Sequence, residues 1–186
     1  MRILLTRHGE TEENIKRIAT GQLPGTLTKK GIEQAEKLGL RLKNEQIDQI
    51  YSSDLTRALD TAKIVAKHHP DVHFHITEEV RERDMGSYTG KFDNDCDWEN
   101  WPDDIETNEE MQIRAKQFLD EIYQNHSNEC VLIAAHIGFN QALISIINGI
   151  PANDMLDIKQ SNACLNIIEY SENESEMIML NNSDFL

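Results

Sequence analysis

A chain of 186 residues with 33 acidic and 18 basic side chains carries a net charge of −15 at neutral pH. That length suits one domain, which buries roughly 70% of its unfolded surface without a disulfide or metal staple. The charge argues against nucleic acid and anionic membranes as partners, because a basic face supplies most of the binding to both.

Taken in chain order, apolar runs alternate with helical periods. Ile3-Leu4-Leu5 reads as a short buried strand. Thr28 opens a helix whose apolar positions Ile32, Ala35, Leu38 and Leu42 share one face. Gln49-Ile50-Tyr51 is a second strand, after which Asp54 is expected to cap a helix carrying Leu55, Ala58, Leu59, Ala62, Val65 and Ala66. That helix must stop before Pro70, and 72–76 is a third strand. No period holds from Thr77 to Glu106, which reads as a long functional loop. Thr107-Asn108-Glu109-Glu110 has capping-box form, and Met111, Ala115, Phe118, Leu119 and Ile122 follow as a core-facing stripe. Residues 131–135 form the most apolar strand, and Phe139, Ala142, Leu143, Ile146 and Ile147 mark the helix after it. Two closing strands, 163–169 and 177–180, flank a polar turn. Strand alternating with helix predicts a three-layer α/β/α sandwich with a mostly parallel central sheet, and no linker divides residues 1–186.

Targeting and redox signals are sparse. The start, Met1 to Arg7, holds three consecutive apolar residues, too few for a signal-peptide core. Cys130 to Asn153 is uncharged and long enough to span a bilayer, but His136, Gly138, Asn140, Gln141 and Asn148 interrupt it. A buried strand and helix explain it better. Cys96, Cys130 and Cys164 make an odd set with no C-x-x-C pair, which fits a reducing cytoplasm.

In open parallel sheets, ligands sit beyond the carboxyl ends of the strands. Three such ends carry unusual polar groups: Arg7-His8-Gly9-Glu10-Thr11, Ser52-Ser53-Asp54-Leu55-Thr56-Arg57, and His136-Ile137-Gly138. The loop after the third strand adds Arg81-Glu82-Arg83-Asp84. These types match the needs of phosphoryl transfer. Guanidinium forks bind phosphate oxygens, and helix starts offer N–H groups to an anion. A neutral imidazole is a nucleophile at phosphorus, and Gly9 would leave room for its approach. A carboxylic acid can protonate the departing oxygen, with Glu82, Asp84 and Glu10 as candidates.

The segment Thr6-Arg7-His8-Gly9-Glu10-Thr11, followed by Asn14, resembles the signature of the histidine phosphatase superfamily, the phosphoglycerate mutase-like proteins. Further matches follow in the family's order. Leu27-Thr28-x-x-Gly31-x-x-Gln34-Ala35 resembles its first helix start, and Ser52-Ser53-x-Leu55-x-Arg57-Ala58-x-x-Thr61-Ala62 its second. Glu82-Arg83-x-x-Gly86 resembles its acid loop, Ala135-His136-x-Gly138-Phe139 its second-histidine turn, and Leu180-Asn181-Asn182 its last strand.

The resemblance implies that His8 becomes phosphohistidine, that Arg7, Arg57 and His136 hold the phosphoryl group, and that Glu82 is the proton donor. It adds Asn14, Thr20, Gly21, Gln22 and Ile137 as substrate-pocket residues. It implies no metal and no organic cofactor, and a small phosphorylated metabolite as partner. The expected activity is hydrolysis of a phosphomonoester. A mutase is the alternative within the family, although the extra covering segments of its cofactor-dependent mutases are missing here. A silent phosphate-binding protein is the alternative outside catalysis. The chain departs from the family at Ile137, where glycine is usual, and at Asn140 and Gln141, where an aliphatic residue and an arginine are common.

Two metal-like patterns fail on chemistry. His68, His69, His73 and His75 cluster, but nothing nearby completes fourfold ligation, so solvent-facing histidines are expected. Asp93, Asp95 and Asp97 mimic a calcium loop, but Trp98 stands where that loop needs glycine. The same stretch defines an expected covering loop at 91–106, which holds both tryptophans, Trp98 and Trp101. From Asp93 to Glu110 there are nine acids and no Lys or Arg. Such a loop would disfavour substrates carrying extra negative charge; the alternative is a solvated acidic surface.

Overall fold

The apolar runs become the centre of one six-stranded sheet, described over residues 1–186 in a computed structural model. Its strands are β1 (Arg2–Arg7), β2 (Gln49–Ser53), β3 (His73–Thr77), β4 (Cys130–Ala135), β5 (Leu165–Tyr170) and β6 (Ser175–Asn182), in the order β3-β2-β4-β1-β5-β6. The pairs β1–β4, β2–β4 and β2–β3 are parallel, while β1–β5 and β5–β6 are antiparallel. Parallel pairing requires crossovers. Helices α1 (Glu12–Lys16), α2 (Lys29–Leu42), α3 (Thr56–Ala66), α4 (Asn108–His126) and α5 (Ile137–Ile147) lie along the chain, and α2, α3 and α4 occupy the connections between the parallel strands.

Side-chain alternation in β1 sets the layers. Ile3 and Leu5 pack with Phe118, Leu119, Phe139 and Leu143 from α4 and α5. Leu4 points the other way, to Leu38, Leu42 and Val65 from α2 and α3. Between these layers β4 is buried along its whole length, as its unbroken apolar sequence requires. The uncharged stretch from Cys130 is therefore β4 and α5, and no helix is long and apolar enough to cross a membrane.

Helix starts follow their caps. Thr28 Oγ1 accepts from Gly31 N–H at 2.9 Å. The capping box at Thr107 is complete: its hydroxyl accepts from Glu110 N–H at 3.2 Å, and Glu110 Oε2 accepts from Thr107 N–H at 2.8 Å. All five stripe residues of α4 are buried.

Three local expectations are corrected. Ile32 is 41% exposed, and the inward face of α2 is Gly31, Ala35, Leu38, Gly39 and Leu42. A Cβ at Gly31 would collide with the Glu10 backbone, so close backbone approach turns the helix past Ile32. Asp54 does not cap α3, whose N-cap Leu55 makes no side-chain bond. Arg81 binds both Asp54 oxygens, Nε to Oδ1 at 2.8 Å, and this charge-assisted fork outcompetes a lone backbone N–H. His75 is half-buried, stacked on Tyr51 at 4.3 Å between ring centroids, while His73 is exposed. Periodicity also misses α1 and the 3₁₀ turn Ala152–Asp157, both too short to show a period. The expected long loop is irregular apart from single turns at Gly86–Tyr88 and Asp93–Asp95.

Candidate active site

Parallel register brings the two histidines together. Arg7 pairs with Ala135 at the ends of β1 and β4, so His8 and His136 leave adjacent strands at the same level. His8 N–H still donates to the Ala135 carbonyl at 3.0 Å, and the two rings lie 5.3 Å apart. Both are buried. From β2, the short turn after Ser53 starts α3 at Thr56 and sends Arg57 inward, almost fully buried. One turn later, Thr61 Oγ1 accepts from Gly9 N–H at 3.0 Å and donates to the Arg57 carbonyl at 2.8 Å. The Arg57-to-Thr61 spacing thus ties α3 to the end of β1. Gly9 serves a different purpose from the one expected: the room it leaves is filled by the Gly31 carbonyl of α2, with which a Cβ would collide.

Hydrogen bonds fix the His8 tautomer. Nδ1 lies 2.7 Å from the Gly9 carbonyl, which can only accept, so Nδ1 carries the proton. Nε2 faces the Arg57 Nε–H at 3.2 Å, which can only donate, so Nε2 presents its lone pair. Burial first, and then the positive charges of Arg57 and Arg7, push the His8 pKa well below the usual imidazole range. The same causes, burial foremost, depress His136. Neither ring nitrogen of His136, nor Arg7 Nε, has a partner in the protein, although all three are buried. A buried polar group needs a hydrogen-bond partner, and an anion with several acceptor oxygens can accept from the Arg7 Nε–H and from the one ring N–H of neutral His136.

The guanidiniums are anchored from outside. Arg57 donates to the carbonyls of Gly21 (2.8 Å), Leu23 and Pro24 (3.3 Å), and burial pulls its pKa down to about 10, which leaves it charged at neutral pH. Arg7 donates to the Gln160 carbonyl at 2.7 Å. Asn14 Oδ1 accepts from Thr11 N–H (3.2 Å) and Asn162 Nδ2 (3.1 Å), which leaves its amide donor for the pocket.

Glu82 completes one wall. Its Oε1 accepts from Arg83 N–H at 2.8 Å and from Gly138 N–H, at the start of α5, at 3.0 Å. The remaining oxygen is Oε2. Ile137 does not disturb this contact, because the N–H used is that of Gly138, where a Cβ would collide with Glu82 Oε1. The two rival carboxylates lie elsewhere: Asp84 accepts from Gly86 N–H (2.9 Å), and Glu10 pairs with Lys30 (2.9 Å).

These groups line one cavity of about 240 Å³. Arg7, His8, Asn14, Thr20, Gly21, Arg57, Glu82 and Ile137 all face it. His136 is not among the residues lining the cavity; its ring lies 5.3 Å from that of His8, and it precedes the cavity-lining Ile137 at the start of α5. Gln22 does not line the cavity; its Nε2 donates to the Glu82 carbonyl at 3.2 Å and braces the acid loop. Sequence reasoning missed Asn162, which donates to the His8 carbonyl at 3.2 Å, and the amide set around Gln160, where Asn140 and Asn166 donate to its Oε1 at 3.2 and 2.8 Å. Gln141, singled out as a departure, donates to the carbonyls of Leu156 (3.1 Å) and Ile158 (3.0 Å), so it holds the turn that brings Leu156 to the cavity rim.

The chain is similar to known proteins over nearly its whole length. Adenosylcobalamin/alpha-ribazole phosphatase of Salmonella typhimurium is 29% identical, the match covering 97% of this chain and 96% of that protein. The uncharacterized phosphatase PhoE of Bacillus subtilis is 33% identical over 91% of this chain and 89% of its own. Among solved structures, Bacillus stearothermophilus YhfR superposes with a TM-score of 0.91 at 27% identity, covering 99% and 98% of the two chains. A family description of the histidine phosphatase superfamily (branch 1) matches residues 3–183, with the strand ends and helix starts described above inside it, and the chain belongs to that superfamily.

Proposed function

We propose that this protein is a phosphatase that hydrolyses a small phosphomonoester through a phosphohistidine formed on His8. The observation that carries the reading is the His8 tautomer: Nδ1 bound to the Gly9 carbonyl, Nε2 with its lone pair toward the buried Arg57 guanidinium. Because its pKa is depressed, this imidazole stays neutral, and so nucleophilic, at pH values where an exposed histidine is protonated.

In the first step, the His8 Nε2 lone pair attacks phosphorus and the bond from phosphorus to the alcohol oxygen breaks. Glu82 gives its proton to that oxygen, so the leaving group departs as a neutral alcohol. Arg57 transfers its Nε–H from His8 to a phosphoryl oxygen, while Arg7 Nε, His136 and the Asn14 amide bind the others and offset the moving charge. In the second step, Glu82 takes a proton from water as the water oxygen attacks phosphorus. The phosphorus–nitrogen bond breaks, inorganic phosphate leaves, and His8 and Glu82 return to their starting states. The three free cysteines, two of them buried, support a reducing cytoplasmic setting.

The test is to trap the intermediate. Brief incubation with a ³²P-labelled phosphomonoester and an alkaline quench should leave acid-labile label on the peptide carrying His8. His8→Ala should lose the label and retain less than about a hundredth of kcat/KM, since removing a nucleophile costs several kcal/mol. Label on another residue, or turnover that survives His8→Ala, overturns the assignment.

A further inference from the structure

We infer that the leaving-group side of the cavity is an aromatic slot for a flat, uncharged alcohol, and that Arg83 positions this slot and is not a receptor for a second anion. This rests on the phosphatase reading and adds the substrate class.

Beyond the phosphoryl floor, the cavity is lined by Ile18, Met85, Trp98, Trp101, Ile137 and Leu156. Both tryptophans come from the long acidic loop, and both are pinned. Trp98 Nε1–H donates to the Asp93 carbonyl at 3.0 Å, and Trp101 Nε1–H to the Trp98 carbonyl at 2.9 Å. The rings meet edge to face at 5.9 Å, and Trp98 meets Tyr88 in the same way at 5.7 Å. Tyr88 fastens the loop from below, its hydroxyl donating to the Asp97 carbonyl and accepting from Asp97 N–H at 3.2 and 3.0 Å. With the indole N–H groups spent inside the loop, the tryptophans offer a ligand their faces and no donor. Trp98 keeps 42% of its surface exposed.

Charge accounting excludes a second anion. The cavity is lined by three cations, Arg7, Arg57 and Arg83, and the first two belong to the floor. Arg83 is 4% exposed and already committed: its η nitrogens donate to the Glu106 carbonyl and to Asn108 Oδ1 (2.7 Å), and its guanidinium lies 5.1 Å from the Trp101 ring centroid. It therefore serves as the platform under Trp101. Of the neighbouring cations, Lys91 sits over Tyr88 and Arg17 pairs with Asp93. An alcohol bearing a carboxylate or second phosphate would enter beside Glu82, at a rim formed by a segment with nine acids and no Lys or Arg, with no free cation to meet it. A flat neutral alcohol meets aromatic faces and loses nothing. The volume, about 240 Å³, holds a phosphoryl group and a small ring system.

The experiment compares benzyl phosphate with O-phosphoserine and 3-phosphoglycerate, all esters of alkyl alcohols that make the same call on Glu82. The expected result is at least a tenfold higher kcat/KM for benzyl phosphate at low salt, with the gap narrowing as salt screens the repulsion. Trp101→Ala should lower kcat/KM for benzyl phosphate by about tenfold, the scale of one aromatic pair, mainly through KM, with Trp101→Phe largely restoring it. Arg83→Gln should act in the same direction, on benzyl phosphate before the charged esters. A preference for the charged esters, or an Arg83→Gln loss confined to them, overturns the inference. Benzylphosphonate, which cannot be hydrolysed, separates the two readings through quenching of tryptophan fluorescence. Binding weakened by Trp101→Ala without turnover of any ester would sink the phosphatase reading and keep the slot. Turnover of all three esters at equal efficiency would keep the phosphatase and sink the slot.

Discussion

The floor of the cavity and its rim are built on opposite plans. The floor residues Arg7, His8, Arg57 and His136 sit at strand ends or helix starts, with His8, Arg57 and His136 buried and Arg7 half-buried. The rim residues Trp98 and Trp101 sit in an irregular segment whose acids are mostly exposed and whose order comes from short-range bonds such as Tyr88 to Asp97. Strand-end placement leaves little freedom, so the floor can bind one geometry, the phosphoryl group. A loop pinned at a few points can change residue by residue without disturbing the sheet. On the proposed mechanism chemistry belongs to the floor, and on the inferred slot choice of alcohol belongs to the rim, so substitutions in the two regions should fail in different ways.

The largest effect beyond loss of the nucleophile is expected where floor and rim meet, at Glu82. Glu82→Gln keeps the acceptor for the Gly138 and Arg83 N–H groups but removes the proton. Alkyl phosphates, whose alkoxides leave poorly, should slow by about 10²–10⁴-fold, and aryl phosphates far less. Steady-state rates on benzyl phosphate and p-nitrophenyl phosphate measure the difference. Equal losses on both would move the acid elsewhere, although Asp84 and Glu10 are both held away from the cavity.

Gly138→Ala comes next. It leaves every ionisable group in place, but its Cβ would push Glu82 Oε1 aside. A displacement of about an ångström at a catalytic group can cost about 10²-fold, so the variant should mimic a weakened Glu82, with alkyl esters suffering more than aryl ones. Unchanged alkyl turnover would mean that the Gly138 N–H contact does not set the acid's position. Ile137→Gly, which restores the residue usual in the family, should alter KM before kcat, because Ile137 faces the cavity and makes no bond to Glu82.

The same division governs what could be read from the sequence. The floor was legible because each of its residues lies beside a periodic element whose end could be found, and because the register of parallel strands does the rest. His8 and His136 are 128 positions apart, yet one ladder aligns them. Gln160 and Asn162 were not legible. They lie just before β5, with Ala163 next to them at positive φ, and their partners Arg7, His8 and Asn14 are more than 140 positions away. The face of α2 was misread for a related reason, since Gly31 and Gly39 pack inward yet carry no apolar side chain for a periodicity to register. Asp54 was misread as a cap because its stronger partner, Arg81, comes from another segment. At the rim, composition could supply the tryptophans and the acids, but not that Arg83 is already spent.

The smallest effect separates the two regions by pH. His8 and His136 have depressed pKa values in the folded protein, burial being the first cause for both. In the unfolded chain they titrate near the ordinary value of about 6.5. Below that pH the unfolded state takes up protons that the folded state refuses, so the stability these histidines contribute is full above about pH 6.5 and falls as pH drops toward their folded values. Each should steepen the acid limb by up to one proton, about 1.4 kcal/mol per pH unit. The rim answers in another window: Asp97, held below the usual carboxylate range by the Asn100 side chain and nearby backbone N–H groups, gives stability that is present above its ordinary pKa and is lost only in stronger acid. Urea titrations from pH 7.5 to pH 5 should therefore show His8→Ala with a flatter decline than wild type, by up to one proton, and Asp97→Asn with an unchanged one. If His8→Ala and wild type declined in parallel, His8 would titrate like an exposed imidazole, and the neutral nucleophile at the end of β1 would have to be given up.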